Sequence, residues 1–94
     1  MTKTPEELEA LRLEIDAADE ALVRQFAKRF AIVDKVLAVK QAKGLPAFIP
    51  ERVEVVVQQV RKLAEAQGLN AEIAEKLWRV LIAETIAYEE KHLK

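Results

Sequence analysis

The chain has no cysteine, so disulfides and thiolate chemistry are excluded. A single histidine, His92, argues against a zinc site or a Ser–His pair. With two glycines in the whole sequence, there is no glycine-rich loop to cradle a phosphate. Neither sign of charge dominates: 15 Lys and Arg face 16 Asp and Glu, a net charge of -1. Without a positive excess to release counterions, nucleic acid is not expected as a partner. No apolar run approaches the roughly 18 residues of a membrane span. The opening Met-Thr-Lys-Thr-Pro-Glu-Glu lacks the apolar segment of a secretory signal. A soluble cytoplasmic protein without metal or cofactor is the expectation, and 94 residues, 51% of them apolar, are enough for one domain with a core.

What is present begins with a long uninterrupted helix. From Pro5 to about Lys43 there is no glycine and no internal proline. Leu8, Leu11, Ile15, Ala18 and Leu22 step by three and four, and Ile32, Val36 and Val39 resume the seam. Thr4 fits the N-cap, Pro5 the first helical position, and Thr4 with Glu7 the capping-box spacing. About 38 residues make a rod of roughly 57 Å, whereas a compact domain of this length is only about 30–35 Å across. The rod needs apolar cover from elsewhere, and a second copy of the chain is the simplest source. The heptad of Leu8, Ile15 and Leu22 reaches Arg29 before Val36. Either Arg29 is paired with a carboxylate, or the seam opens there into a polar pocket.

Gly44 fits a left-handed stop for this helix. The stretch Gly-Leu-Pro-Ala-Phe-Ile-Pro (44–50) is an unusually apolar loop, and Leu45, Phe48 and Ile49 are expected to cover something, as core plugs or as a lid. Pro50 opens a second helix with Glu51 suited to the dipole. Val53, Val56, Val57 and Val60 form its stripe, and Gly68 ends it. Asn70 is placed to cap a third helix whose buried face is read as Ile73, Leu77, Leu81, Ile82, Thr85 and Tyr88. There are no strand signals, so the fold class is all-α, with three helices forming an intertwined homodimer.

The candidate chemistry is cationic. Arg29 and Lys40 are eleven residues apart, hence about 20° apart around the helix and roughly 16 Å along it, suited to gripping two ends of a small dianion. Arg12 lies about 25 Å before Arg29 and about 100° away. It cannot serve the same ligand within one chain, but in an antiparallel pair it could reach the partner's site. Arg52, in the first turn of the second helix, is a fourth cation. Thr85 and Glu89 share a face by their i, i+4 spacing, so Glu89 points either inward or to solvent. Such a set suits binding a polyanion and stabilising charge in a transition state better than covalent catalysis.

These residues resemble the all-helical bacterial chorismate mutase family, including the related isochorismate pyruvate lyases, over essentially the whole chain, 1–94. Leu-Glu-Ala-Leu-Arg-Leu-Glu-Ile-Asp-Ala-Ala-Asp-Glu-Ala-Leu (8–22) resembles the family's first-helix signature. Ala-Lys-Arg-Phe (27–30), Ala-Val-Lys (38–40), Pro-Glu-Arg-Val (50–53) and Gly-Leu-Asn (68–70) follow in order, then Trp78 through Glu89. The resemblance implies a homodimer with two sites, each built from both chains. Arg12 of one chain and Arg29 of the other would bind the two carboxylates of a small dicarboxylate substrate. Lys40 would bind a carboxylate and the ether oxygen, Arg52 would assist, and Thr85 would line the site. Glu89 falls where many relatives have glutamine, a donor to the ether oxygen.

The implied reaction is the pericyclic rearrangement of chorismate to prephenate, which needs no nucleophile or cofactor. Two departures stand out. Glu89 must carry a proton to donate a hydrogen bond. Ile49 and Val53 stand where some mutases read the ring hydroxyl with acidic residues, with Glu51 a nearby acid that could substitute. The pattern is shared with the isochorismate pyruvate lyases, which yield salicylate and pyruvate, so such a lyase, or a mutase acting on a chorismate analogue, is the alternative. A third alternative is a non-enzymatic helical dimerisation module. That module would leave Arg29 and Lys40 as surface charges beside carboxylates, with no pocket. The enzyme would enclose a pocket lined by Arg29, Lys40, Arg52 and Glu89, with Arg12 arriving from a second chain. A helix-turn-helix DNA reader is disfavoured, because the third helix is acidic towards its C-terminal end.

Overall fold

The computed structural model describes residues 5–93; Thr4 and its capping box lie outside them. Three helices are present, α1 (Pro5–Lys43), α2 (Pro50–Ala66) and α3 (Ala71–His92), with no strand among the described residues. The all-α reading holds, and the 39-residue α1 runs between the bounds read from the sequence.

Both glycines stop helices. Gly44 has φ 65° and Gly68 φ 75°, a region that costs a side chain energy. At the end of α1 the Leu45 N–H donates to the Lys40 carbonyl at 2.9 Å and Gly44 to Gln41 at 3.4 Å. At the end of α2 Leu69 donates to Ala64 at 2.8 Å and Gly68 to Glu65 at 3.2 Å. Each pair is a Schellman closure that satisfies the helix's last carbonyls. Pro50 sits in the first turn of α2, where its missing N–H costs nothing. Asn70 caps α3, its side-chain oxygen accepting from the Ile73 N–H at 3.0 Å.

The chain forms two compact units, one ending at Val33 and one beginning at Asp34. The first unit is the N-terminal stretch of α1. Its seam residues Leu8, Leu11, Ile15 and Leu22 are exposed in the single chain. Local ion pairs, Arg24 to Glu20 at 2.9 Å and Arg12 to Glu9 at 3.7 Å, lie on its surface.

The second unit is built on the α2–α3 pair. Val60, Ala64 and Ala74 form its core, with Val56 and Trp78 packed against them. The small side chains of Ala64 and Ala74 let the two helices approach. Val57, completely buried, contributes roughly 1.5–3 kcal/mol. Burial of this stripe offsets the weak helix propensity of the valine run.

Two expectations need correction. In the apolar loop Ala47 is the buried residue, whereas Leu45 and Phe48 are exposed. The loop turns inward at Ala47, whose carbonyl accepts from Lys40. On α3, Ile73 and Leu77 are exposed, and the buried positions are Ala74, Ile82 and Glu89. The helix carries two apolar stripes, and its own chain covers the one through Ala74, Trp78 and Ile82. The other, through Ile73, Leu77 and Val80, stays open.

Charge also ties α2 to α3. Arg61 donates to Glu75 at 2.7 Å and to Glu72 at 2.9 Å. Arg79 bonds Glu75 at 2.7 Å and both oxygens of Glu54 at 3.2 Å. The hydrogen bonds from Arg79 and then Arg61 hold the Glu75 carboxyl below its ordinary value of 4.5. The unfolded chain therefore takes up this proton first, so the stabilisation is complete above pH 4.5 and lost as acid titrates the folded carboxyl. Thermal melts should show Tm falling below that pH, and Glu75→Gln should lower Tm at neutral pH while flattening the acid decline. An unchanged acid decline in that variant would remove Glu75 as its source.

Candidate functional site

The charged centre of the second unit is Lys40 with Glu89. Lys40 projects from the last turn of α1 and Glu89 from the last turns of α3. The Lys40 ammonium donates to Glu89 Oε1 at 2.8 Å and approaches Oε2 at 3.4 Å. It also donates to the Ala47 carbonyl at 2.9 Å, which the turn at Gly44 brings back beneath it. The two side chains are 13% and 5% exposed. A pair this withdrawn from water is held by hydrogen bonds as well as charge, and it settles the direction of Glu89: inward.

Beside the pair lies a cleft of about 440 Å³ lined by Lys40, Gln41, Gly44, Leu45 and Leu93. An ammonium has three donors, which the Ala47 carbonyl and the two Glu89 oxygens engage, so an oxygen of a ligand there would replace one of these acceptors. This wall differs from the expected cage of Arg29, Lys40, Arg52 and Glu89, with which it shares Lys40.

The other candidates stand as follows. Thr85 is half-buried one turn before Glu89, its hydroxyl donating to the Leu81 carbonyl at 2.8 Å. Arg52 is exposed in the first turn of α2, and Ile49 and Val53 are half-buried around it. Arg12, exposed, and Arg29, half-buried, belong to the unit that ends at Val33. The structure thus unites Lys40 and Glu89, with Thr85 on the same α3 face.

Several contacts around the pair carry no sequence signal, although Tyr88 itself lies on the face of α3 read as buried. Gln41 Nε2 donates to the His92 carbonyl at 2.8 Å, and the Tyr88 hydroxyl donates to Asp34. Hydrogen bonding to the Asp34 carboxylate, with desolvation second, pushes the Tyr88 hydroxyl upward in pKa. Backbone carbonyl partners such as those of Ala47 and His92 are invisible in a residue pattern. Among the described residues no cluster of His, Cys, Asp and Glu could hold a metal, and no helix is long and apolar enough to cross a membrane.

Comparison with known proteins then decides the family. Residues 11–90 match the family described as chorismate mutase type II. The chain belongs to the chorismate mutase type II family. It is 42% identical over 85 residues to the T-protein of Haemophilus influenzae, covering 89% of this chain and 22% of that protein. It is 27% identical over 89 residues to the chorismate mutase of Methanocaldococcus jannaschii, covering 95% of this chain and 90% of that protein. It is 30% identical over 84 residues to the 4-amino-4-deoxychorismate mutase of Streptomyces venezuelae, covering 89% and 82%. The chain spans about a fifth of the T-proteins, 22% of each. Within the chorismate mutase type II family match lie Arg12, Arg29, Lys40, Arg52, Thr85 and Glu89, and the resemblance read from the sequence points to the same family.

Proposed function

We propose that this chain rearranges chorismate to prephenate as a cytoplasmic homodimer with two sites shared between its chains. The observation that carries the reading is the withdrawn Lys40–Glu89 pair beside an open cleft, in a chain of the chorismate mutase type II family. The rearrangement moves electrons within one molecule and requires no group from the protein. The protein can hold the flexible enolpyruvyl side chain over the ring. It can also stabilise the negative charge that grows on the ether oxygen as the C–O bond breaks. In this reading Lys40 binds a carboxylate and the ether oxygen. Arg29 and the partner's Arg12 bind the carboxylates, Arg52 assists, and Thr85 lines the site.

Glu89 has two roles that depend on its proton. As a carboxylate it accepts from Lys40, the arrangement seen here. As the neutral acid it can donate to the ether oxygen beside Lys40. Glu89→Gln places a permanent donor at the same point and should keep turnover, whereas Glu89→Ala removes the donor and should lose it. Equal turnover in the two variants removes Glu89 from the chemistry.

A second reading is favoured by the apolar, half-buried Ile49 and Val53 and by the Streptomyces relative. Neither side chain can hydrogen-bond a ring hydroxyl, which suits isochorismate, with lyase chemistry, or a mutase acting on a chorismate analogue. The deciding experiment offers chorismate, isochorismate and 4-amino-4-deoxychorismate separately and follows prephenate, salicylate and the rearranged amino compound. Prephenate from chorismate at the highest kcat/KM supports the first reading; salicylate or the amino product at the highest kcat/KM replaces it.

A further inference from the structure

We propose that two contacts between the end of α1 and the last turns of α3, Asp34 with the Tyr88 hydroxyl and Gln41 with the His92 carbonyl, form a strap that aims Glu89 at Lys40. Tyr88 and Gln41 are then positioning residues, an inference that rests on the reading of Lys40 and Glu89 as the chemical groups. Asp34 and Gln41 are seven residues apart on α1, which places them on one face about 10 Å apart. Tyr88 and His92 are one turn apart on α3, and Glu89 lies between them.

The last turns of α3 are locked internally as well. The His92 ring leans on the Tyr88 ring with centroids 4.6 Å apart, and His92 Nδ1 lies 2.8 Å from the Tyr88 carbonyl. Leu93, whose N–H donates to the Glu89 carbonyl at 3.0 Å, then forms part of the cleft wall. The residue that meets Lys40 is thus bracketed by two anchored neighbours. In this unit α1 meets α3 through the side chains of Lys40, Gln41 and Asp34, so side chains set the angle at which the helices face each other. A rotation of α3 by about 20° would carry an atom 6 Å from its axis through about 2 Å. A misplacement of about 1 Å can cost roughly a hundredfold in rate. Asp34, Gln41 and His92 are exposed, and exposed polar contacts add little to stability. Orientation is the effect they are placed to exert.

The test compares the whole chain with Tyr88→Phe combined with Gln41→Ala, using Arg79→Gln as a control that loosens the α2–α3 clamp away from this strap. Three quantities are read: kcat and KM on chorismate, Tm, and the Lys40 ammonium resonance in labelled protein at low temperature, which survives solvent exchange only while paired. The double substitution should lower kcat roughly tenfold and broaden the Lys40 resonance; Tyr88→Phe alone, which leaves the cleft wall intact, should lower kcat in part with KM within about twofold. Arg79→Gln should leave kcat and the resonance in place, with Tm changed little. A kcat and a resonance that both survive the double substitution overturn the strap, as does an equal loss of kcat in Arg79→Gln. If the unaltered chain converts none of the three compounds while its Lys40 resonance still depends on the strap, the assigned reaction falls and the positioning of Lys40 by Glu89 stands.

Discussion

Lys40→Ala is expected to reduce kcat/KM on chorismate by about 10²–10³-fold, the scale of losing one donor aimed at developing oxyanion charge. The same substitution should also destabilise the fold, for a reason visible in the structure. Glu89 is 3% exposed, and its carboxylate would lose the ammonium 2.8 Å away. Breaking a buried pair from one side typically costs about 3–5 kcal/mol, because a charge is left uncompensated. Adding Glu89→Gln removes that charge at nearly constant shape. The double variant should therefore regain most of the lost Tm and none of the lost turnover. Steady-state kinetics and thermal melts on Lys40→Ala, Glu89→Gln and the double variant separate the two effects. Near-full turnover in Lys40→Ala would remove the proposed stabilisation of the ether oxygen.

Leu22→Ala is the second large effect, and the single chain makes it sharp. In one copy Leu22 is 52% exposed, and truncating an exposed side chain usually changes stability by no more than about 0.5 kcal/mol. If a partner helix covers the α1 seam, Leu22 becomes a core residue, and truncation should cost about 2–5 kcal/mol. The loss should also depend on protein concentration, since subunit association contributes to the stability of a dimer. Chemical denaturation at two concentrations a hundredfold apart measures both. A shift within 0.5 kcal/mol at either concentration would mean that the seam is bare in solution.

Much of the fold could be read from local chemistry. Among the described residues Gly44 and Gly68 are the two positions with positive φ, and both sit where an apolar repeat stops. Pro50 and Asn70 mark helix starts because one lacks an N–H and the other supplies a side-chain acceptor. Glu89 was legible as a member of the Thr85 face, and the structure turns it inward. The choice between the stripes of α3 was not legible. Ile73, Leu77 and Val80 are as apolar as Trp78 and Ile82, and periodicity shows that a face is apolar without naming what covers it. Ala47 escaped notice because its part is played by a carbonyl. The clamp of Arg61, Glu75, Arg79 and Glu54 joins residues from two helices whose facing register no single-helix pattern contains. The direct pairing of Lys40 with Glu89 likewise joins two helices, so no single-helix pattern contains it.

Mixing two inactive variants tests most directly whether the sites are shared between copies. Arg12→Ala and Lys40→Ala chains are each expected to be nearly inactive alone. When they are unfolded together and refolded at equal amounts, about half of the dimers should pair one chain of each kind, and in each of these one site of two is intact. Roughly a quarter of the activity of the unaltered protein should return. If activity stays at the level of the separate variants while mixed dimers are demonstrably present, Arg12 does not act across the interface and the shared-site reading is wrong.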